Sequence, residues 1–383
     1  MYKGERVVGI IAEFNPFHEG HRYLIRYAKE KYQAKYVVIA MSGDFVQRGE
    51  PGFFSKYERT EKALRNGVDL VLQMPVLFST ASAEDFAACG VAMLEKAGIV
   101  DLLLFGSESG RIEPLEEAAA FLLREERGAA ARSAFSRALR MRLREGQSFP
   151  AAREAAAREV EPGLSLSLCA NDVLGVEYLK AMKRQNVGFS AAVLRRNQKL
   201  RSAHSIREGI SESCGADCVH RCYAEADMLS DMLSYRLLEL ERDGISCMDF
   251  SDVSEELARG LRKQLFMRKT FRERATLLKS KNVTYSRVSR ALLHILLDIR
   301  KDMVQRAREE GYVSFHRVLG VSQDGRALLG ALQLPVLSSP ARWEREAEGA
   351  GELQLRTDLF ASRIYGMIYN TFYNDYTEKL RVL

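Results

Sequence analysis

The chain has 383 residues, 46% of them hydrophobic, and a formal net charge of +6. That length and composition admit two or three packed domains and exclude a chain that is disordered throughout. No apolar run approaches the ~20 residues of a membrane helix, and six scattered cysteines (Cys89, Cys169, Cys214, Cys218, Cys222, Cys247) do not make a disulfide framework.

The short basic start, residues 1–6, leads into an apolar run that breaks at Glu13 with no small-residue cleavage site. It is therefore not read as a secretory signal, and the protein is expected to be cytoplasmic. Strands are predicted at 6–12, 36–41, 69–74 and 101–105, and helices between them at 21–32, 55–65 and 82–97. Near-continuous apolar strands alternating with amphipathic helices predict an α/β fold with a doubly wound parallel sheet. Ligands of such sheets gather beyond the carboxyl ends of the strands. The first strand runs there into Glu13-Phe14-Asn15-Pro16-Phe17-His18-Glu19-Gly20-His21. Strand, tight turn and helix start form a phosphate-binding corner, because the first turn of a helix offers free N–H groups and the positive end of its dipole. His18 and His21 flank Gly20 and can face one ligand. The second strand ends in Ser42-Gly43-Asp44-Phe45-Val46-Gln47-Arg48-Gly49-Glu50-Pro51, the third in Gln73-Met74-Pro75 and the fourth in Phe105-Gly106-Ser107-Glu108-Ser109.

Residues 111–160 are rich in Ala, Arg and Glu and read as helical, an insert of about 111–165; residues 165–170 read as a short extended piece. Asn171 or Asp172 is expected to cap the next helix and Gly188 to end it. A fifth strand is predicted at 189–194. It leads into Arg195-Arg196 and then Ser202-Ala203-His204-Ser205-Ile206-Arg207. Ser202, Ser205 and Arg207 at a helix start suit phosphate oxygens, although a plain N-cap explains the serines equally well.

From about 211 helical periodicity dominates, at 223–242, 253–279, 286–309 and 352–376, with a strand-like piece at 312–319. The expected division is an α/β domain at 1–215 and a mainly helical, basic domain at 216–383. Cys214, Cys218, His220 and Cys222 share a helical spacing, but common zinc knuckles use tighter cysteine pairs, so small buried residues are the favoured reading. Between Arg262 and Arg290 ten basic side chains stand against one acid, Glu273, which leaves the rest of the chain net negative. Arg262, Lys263, Arg268, Lys269, Arg272, Arg274, Lys279 and Lys281, interleaved with Phe266, Phe271 and Tyr285, fit a nucleic-acid backbone.

Two histidines over a glycine, with distal Arg and Ser, suit adenylyl transfer. His18 and His21 would donate hydrogen bonds to phosphoryl oxygens, and Arg196 and Arg207 would hold the outer phosphates of ATP. Mg²⁺ is expected to arrive on the phosphates themselves, so no protein metal site is assigned.

The 9–21 stretch resembles the H-x-G-H signature of the nucleotidylyltransferase superfamily. With the 41–51 loop, the 105–108 and 171–178 segments, Arg356-Thr357-Asp358 and Ala361-Ser362-Arg363-Ile364-Tyr365, the chain from residue 7 to about 370 is similar to the bacterial tRNA(Met) cytidine acetate ligase family. The resemblance implies a nucleotidylyltransferase-like (HUP, Rossmann-like) N-terminal domain. It implies an enzyme that uses ATP and acetate to form acetyl-adenylate, then acetylates the wobble cytidine of elongator tRNA(Met). It also implies ATP contacts at Ile11, Ala12, Glu13, Phe14, Asn15, Pro16, Phe17, His18, Glu19, Gly20, His21, Arg22, Tyr23, Leu24, Gly106, Asn171 and Arg196, with Arg195 as the neighbouring candidate for the last. Two other readings remain: a cofactor-type adenylyltransferase on a small phosphorylated substrate, and a tRNA-binding protein with an inactive nucleotide site.

Overall fold

The computed structural model describes residues 2–127, 133–147, 149–166, 169–197, 200–214, 223–281, 283–337, 340, 349–369 and 374–383. Strands β1 (Val7–Ala12), β2 (Tyr36–Ser42), β5 (Leu70–Met74), β6 (Leu102–Ser107) and β7 (Ser190–Arg195) fall where the apolar runs predict them. They pair in parallel in the order β5-β2-β1-β6-β7. Helices α1 (Glu19–Lys31), α2 (Lys56–Leu64), a short α3 (Val76–Ser79), α4 (Ala83–Ala97) and, later, α8 (Ala170–Gln185) connect and cover them. Alternate strand residues feed two cores. Val8, Ile10, Val37 and Ile39 pack toward α1 and α2, and Val7, Ile11, Val38 and Ala40 pack toward α4 and α8. After β2 a two-stranded hairpin, β3 (Phe45–Val46) and β4 (Glu50–Pro51), carries the 41–51 motif.

The insert forms three helices, α5 (Glu113–Arg127), α6 (Ala134–Arg144) and α7 (Phe149–Val160). The extended piece expected at 165–170 lies partly outside the described residues. The α8 helix is capped two or three residues earlier than expected. Its N-cap is Cys169, so Asn171 and Asp172 sit inside the first turn, and it ends at Asn186, in a left-handed conformation, rather than at Gly188.

The C-terminal half is mainly helical, with α9 (Ala203–Cys214), α10 (Ser230–Arg242), α11 (Glu255–Lys263), α12 (Phe271–Leu278), α13 (Tyr285–Leu296), α14 (Lys301–Glu309), a short α15 (Arg326–Leu329) and α16 (Gly349–Ile368). Two expected long helices are broken: 253–279 into α11 and α12, and 286–309 into α13 and α14. The division expected near 215 is not a division of the sheet. Strand β8 (His316–Val321) is buried along its whole length and pairs antiparallel with β5; β9 (Val336–Leu337) and β10 (Arg381–Val382) pair with β8. An exposed β5 edge would be a template for foreign strands, and β8 covers it. The α4/α8 core likewise continues without a gap into Leu233, Leu237, Leu292 and Leu293 of the C-terminal helices. Among the described residues no helix is long and apolar enough to cross a membrane.

Candidate nucleotide site and the cleft beside it

The corner after β1 is built by a histidine cap. His18 is the N-cap of α1, with extended backbone at φ −145° and ψ 175°; its Nδ1 accepts the Gly20 N–H at 3.0 Å, and the His21 Nδ1 accepts the His18 N–H at 3.2 Å. This is the reciprocal geometry of a capping box, with imidazoles in place of a hydroxyl and a carboxylate. Its chemical consequence is a fixed tautomer. Each Nδ1 is an acceptor, so the proton of each neutral ring is on Nε2. The two rings stack with centroids 3.8 Å apart. Burial lowers the pKa of both, further depressed at His21 by His18 and at both by the Arg196 charge. The corner therefore presents two neutral N–H donors. Gly20 is required sterically, because a Cβ there would stand 2.8 Å from the His18 ring.

The loop before the cap is held from three sides. Arg59 of α2 is fully buried and donates to the carbonyls of Glu13 (2.6 Å), Ser42 (3.0 Å) and Phe54 (3.0 Å), and to that of Gly43. The Asn15 side chain accepts the Phe53 N–H at 2.7 Å. Glu13 accepts the Gln47 N–H at 2.8 Å, and burial raises its pKa against the pull of that bond and of Arg48, Arg59 and Arg207. Phe14 has φ 49°, and its ring lies edge-on to Phe17 and His21.

The far wall is organised by Glu108, just beyond β6. Its carboxylate accepts the backbone N–H of Asn171 (3.1 Å) and Asp172 (3.2 Å) and the Asn171 side chain (2.7 Å), and lies 3.6 Å from Arg196. It caps α8 from outside, which the helix dipole favours. Asp172 answers by accepting from Ser107, Glu108 and Ser109. Gly106 faces open space. Arg195 packs against Gly110 at the 107–110 turn, whereas the Arg196 charge acts on both histidines. Glu108 thus ties Asn171 to Arg196, and of the two arginines Arg196 is the one whose charge reaches His18 and His21.

Other expected residues are placed differently. Ser202 caps α9 by accepting the Ser205 N–H at 3.2 Å, so this helix start has the plain-cap arrangement, and Ser205 makes its contacts within that turn. Arg207 donates to the Asn15 carbonyl at 2.6 Å and braces the histidine loop from the side of a neighbouring cleft. Arg22 pairs with Glu19 and Asn66 on the outer surface of α1. Arg274 is buried; its guanidinium donates to the carbonyls of Gln264 (2.8 Å) and Met267 (3.1 Å), closing the end of α11, and is not available to a nucleic acid. Arg262, Lys263, Arg268 and Arg272 are exposed, and Lys269 is half-buried. The cleft, about 990 Å³, opens beside Asn15 and is walled by the β3–β4 hairpin, α9 and the α12–α13 region, which brings Arg272, Lys279 and Lys281 to its mouth. Cys218, His220 and Cys222 lie outside the described residues, as does the side chain of Cys214.

Residues 5–379 match the family described as HIGH Nucleotidyl Transferase. The chain belongs to the HIGH nucleotidyl transferase family. It is 34% identical to a tRNA(Met) cytidine acetate ligase of Caldanaerobacter subterraneus subsp. tengcongensis, over 95% of this chain and 96% of the relative. A protein of the same name from Fervidobacterium nodosum is 31% identical over 95% of each chain. The Thermotoga maritima TmcAL structure bound with alpha-thio ATP superposes with a TM-score of 0.86, at 27% identity over 99% of both chains. In this HIGH transferase Arg59 and Glu108 were invisible to sequence reasoning as site residues. Glu108 did stand in a recognised segment; for Arg59 the one signal is a guanidinium within an otherwise packed helix.

Proposed function

We propose that this protein is an ATP-dependent tRNA(Met) cytidine acetate ligase. ATP and acetate give acetyl-adenylate and pyrophosphate, and the acetyl group passes to the exocyclic amine of the wobble cytidine, giving N4-acetylcytidine. The observation that carries this reading is the pair of neutral, tautomer-fixed imidazoles at the start of α1, opposite Arg196 and beside a cleft that Arg207, Arg272, Lys279 and Lys281 help to line. Relatives over nearly the whole chain bear that activity's name, and a solved neighbour holds an ATP analogue.

In the first half-reaction the acetate oxygen attacks the α-phosphorus and pyrophosphate leaves. The Nε2–H groups of His18 and His21 are aimed without reorganisation at oxygens that gain charge, which is where preorganised donors act most strongly. Arg196 supplies fixed positive charge beside them. Asn171, held by Glu108, and the open face over Gly106 are suited to the adenosine end. Mg²⁺ comes as part of the nucleotide substrate, carried by its phosphates. In the second half-reaction the acceptor base enters from the cleft. A wobble base lies in a single-stranded loop and can be splayed out without breaking a duplex.

The test uses purified protein with labelled acetate, ATP and total tRNA, followed by nucleoside analysis, and pyrophosphate exchange into ATP measured with and without acetate. Acetate-dependent exchange and labelled N4-acetylcytidine are expected. Exchange that ignores acetate, or labelled acetate that never reaches cytidine, overturns the reading.

A further inference from the structure

Resting on the ligase reading, we infer that Glu50 is the group that receives the amine of the incoming cytosine and takes its proton during acyl transfer. Glu50 belongs to the 41–51 motif, yet the nucleotide corner does not use it. It stands in β4, half-buried, in the wall of the cleft that opens beside Asn15. Its place is rigid. The Gly49 carbonyl accepts the Ser289 hydroxyl at 2.9 Å, and Gly49, at φ 77°, lies so close to α13 that a Cβ would be 2.3 Å from the Arg290 nitrogen. The hairpin is thus seated on α13, and Glu50 is paired in register with Val46.

The surroundings say what a carboxylate there meets. Arg207, Arg272 and Lys279 line the same cleft and would hold phosphodiesters, while the half-buried Tyr285 ring beside Glu50 offers a stacking face. Among the described residues no hydrogen bond or ion pair engages the Glu50 carboxylate, although Arg207 is near enough to feel its charge. Glu208 is exposed and faces His204 across one turn of α9, and Glu225 is held by Ser211 and Arg272. Glu212 is exposed on α9. Of the four glutamates that line the cleft, Glu50 is therefore the half-buried one whose carboxylate is left open, with Arg207 near it. On the ligase reading the incoming base is cytosine, whose N4 amino group is a donor to such an acceptor.

The step balances without a further reactant. The N4 lone pair attacks the acyl carbon and a C–N bond forms. The bond from that carbon to the adenylate oxygen breaks, and AMP leaves with the electron pair. The amine proton passes to Glu50 and then to water. The N4 lone pair is delocalised into the ring, so a carboxylate accepting its N–H raises its nucleophilicity as the bond forms.

The experiment separates the half-reactions. In Glu50→Gln, acetate-dependent pyrophosphate exchange stays within about threefold of wild type, whereas single-turnover transfer from preformed acetyl-adenylate to tRNA falls at least ~10²-fold. Wild-type-like transfer overturns the proposal. So does loss of exchange in a variant that melts like wild type, because Glu50 then serves adenylation. Should Glu50→Gln fail to fold, Glu50→Asp, which keeps the charge, must recover both folding and measurable transfer; if it recovers folding without transfer, or neither, the assignment is wrong. Failure of the ligase reading itself is visible separately, as wild-type exchange that does not depend on acetate.

Discussion

On the proposed reading the two histidines serve structure and chemistry with different atoms. Each Nδ1 holds the backbone turn, and each Nε2–H would be the donor offered to the substrate. Removing His18 should therefore have two measurable effects of different size. Loss of an N-cap costs about 1 kcal/mol of stability. Loss of a donor to a developing oxyanion costs about 10²–10³ in rate. His18→Ala is expected to shift urea unfolding slightly and to lower pyrophosphate exchange by that larger factor; an unchanged rate would remove His18 from the chemistry. The same rings set a pH dependence. Folding holds both below the ordinary imidazole value of 6.5, so the unfolded chain binds more protons there. Their contribution to stability is complete above pH ~6.5 and is lost as the pH falls toward their folded values. Burial depresses His294 and His316 in the same sense. Denaturant midpoints between pH 8 and 5 should consequently fall, and His21→Asn should make the fall shallower without abolishing it.

At the scale of elements, the β3–β4 hairpin is the part that sequence pattern described least. Its strands are two residues each, and its position depends on Gly49 meeting the backbone of a helix some 240 residues later. Gly49→Ala combines a left-handed backbone with main-chain overlap, and a cost of at least ~2 kcal/mol is expected by urea unfolding. The parallel strands were legible because each is an apolar run bounded by turn residues. The breaks inside the long C-terminal helices were less so, for separate reasons. Thr270 and Glu273 form a capping box, a local signature visible in the sequence but masked by the helical periodicity around it. The break at Leu297–Arg300 has no Gly or Pro; Asp298 takes the left-handed conformation, with Arg236 and Arg300 paired to its carboxylate. The basic stripe was legible as charge but not as surface, since spacing alone does not tell a buried guanidinium from an exposed one. That difference is testable with single-stranded RNA. Arg272→Ala and Lys279→Ala should each reduce the slope of log affinity against log salt by about 1. Arg274→Met should leave the slope unchanged and lower stability instead.

Across the whole molecule, the end of the chain is a structural part of the site. Asp375 accepts from Lys56 (2.9 Å), Tyr57 (2.8 Å) and Arg317 (2.9 Å); Lys56 also reaches Asp44 (3.0 Å), whose carboxylate accepts the Ser362 hydroxyl (2.6 Å). All of these groups are buried. Asp44 is the residue after Gly43, whose carbonyl is held by Arg59, so the network runs from the last ten residues through α16 and β8 to the loop that also braces Glu13 and Asn15. No local pattern announces such a network, because its members come from five separated stretches and each reads alone as an ordinary surface charge. Burial works against the charge on Asp375, and Lys56 and Arg317 outweigh it, holding its carboxyl well below the usual range. Removing that one carboxylate leaves two buried cations with half their compensation, a change that costs about 3–5 kcal/mol. Asp375→Asn is isosteric, so a stability loss of that size would come from the lost charge and the acceptor oxygen replaced by NH2, and not from a cavity. Since the network ends on the site loop, the loss should be accompanied by weaker ATP binding, measured at a temperature where the variant is still folded. Wild-type melting in Asp375→Asn would show that the cations find other partners; a stability loss with unchanged ATP affinity would show that Arg59 alone is sufficient to hold the loop.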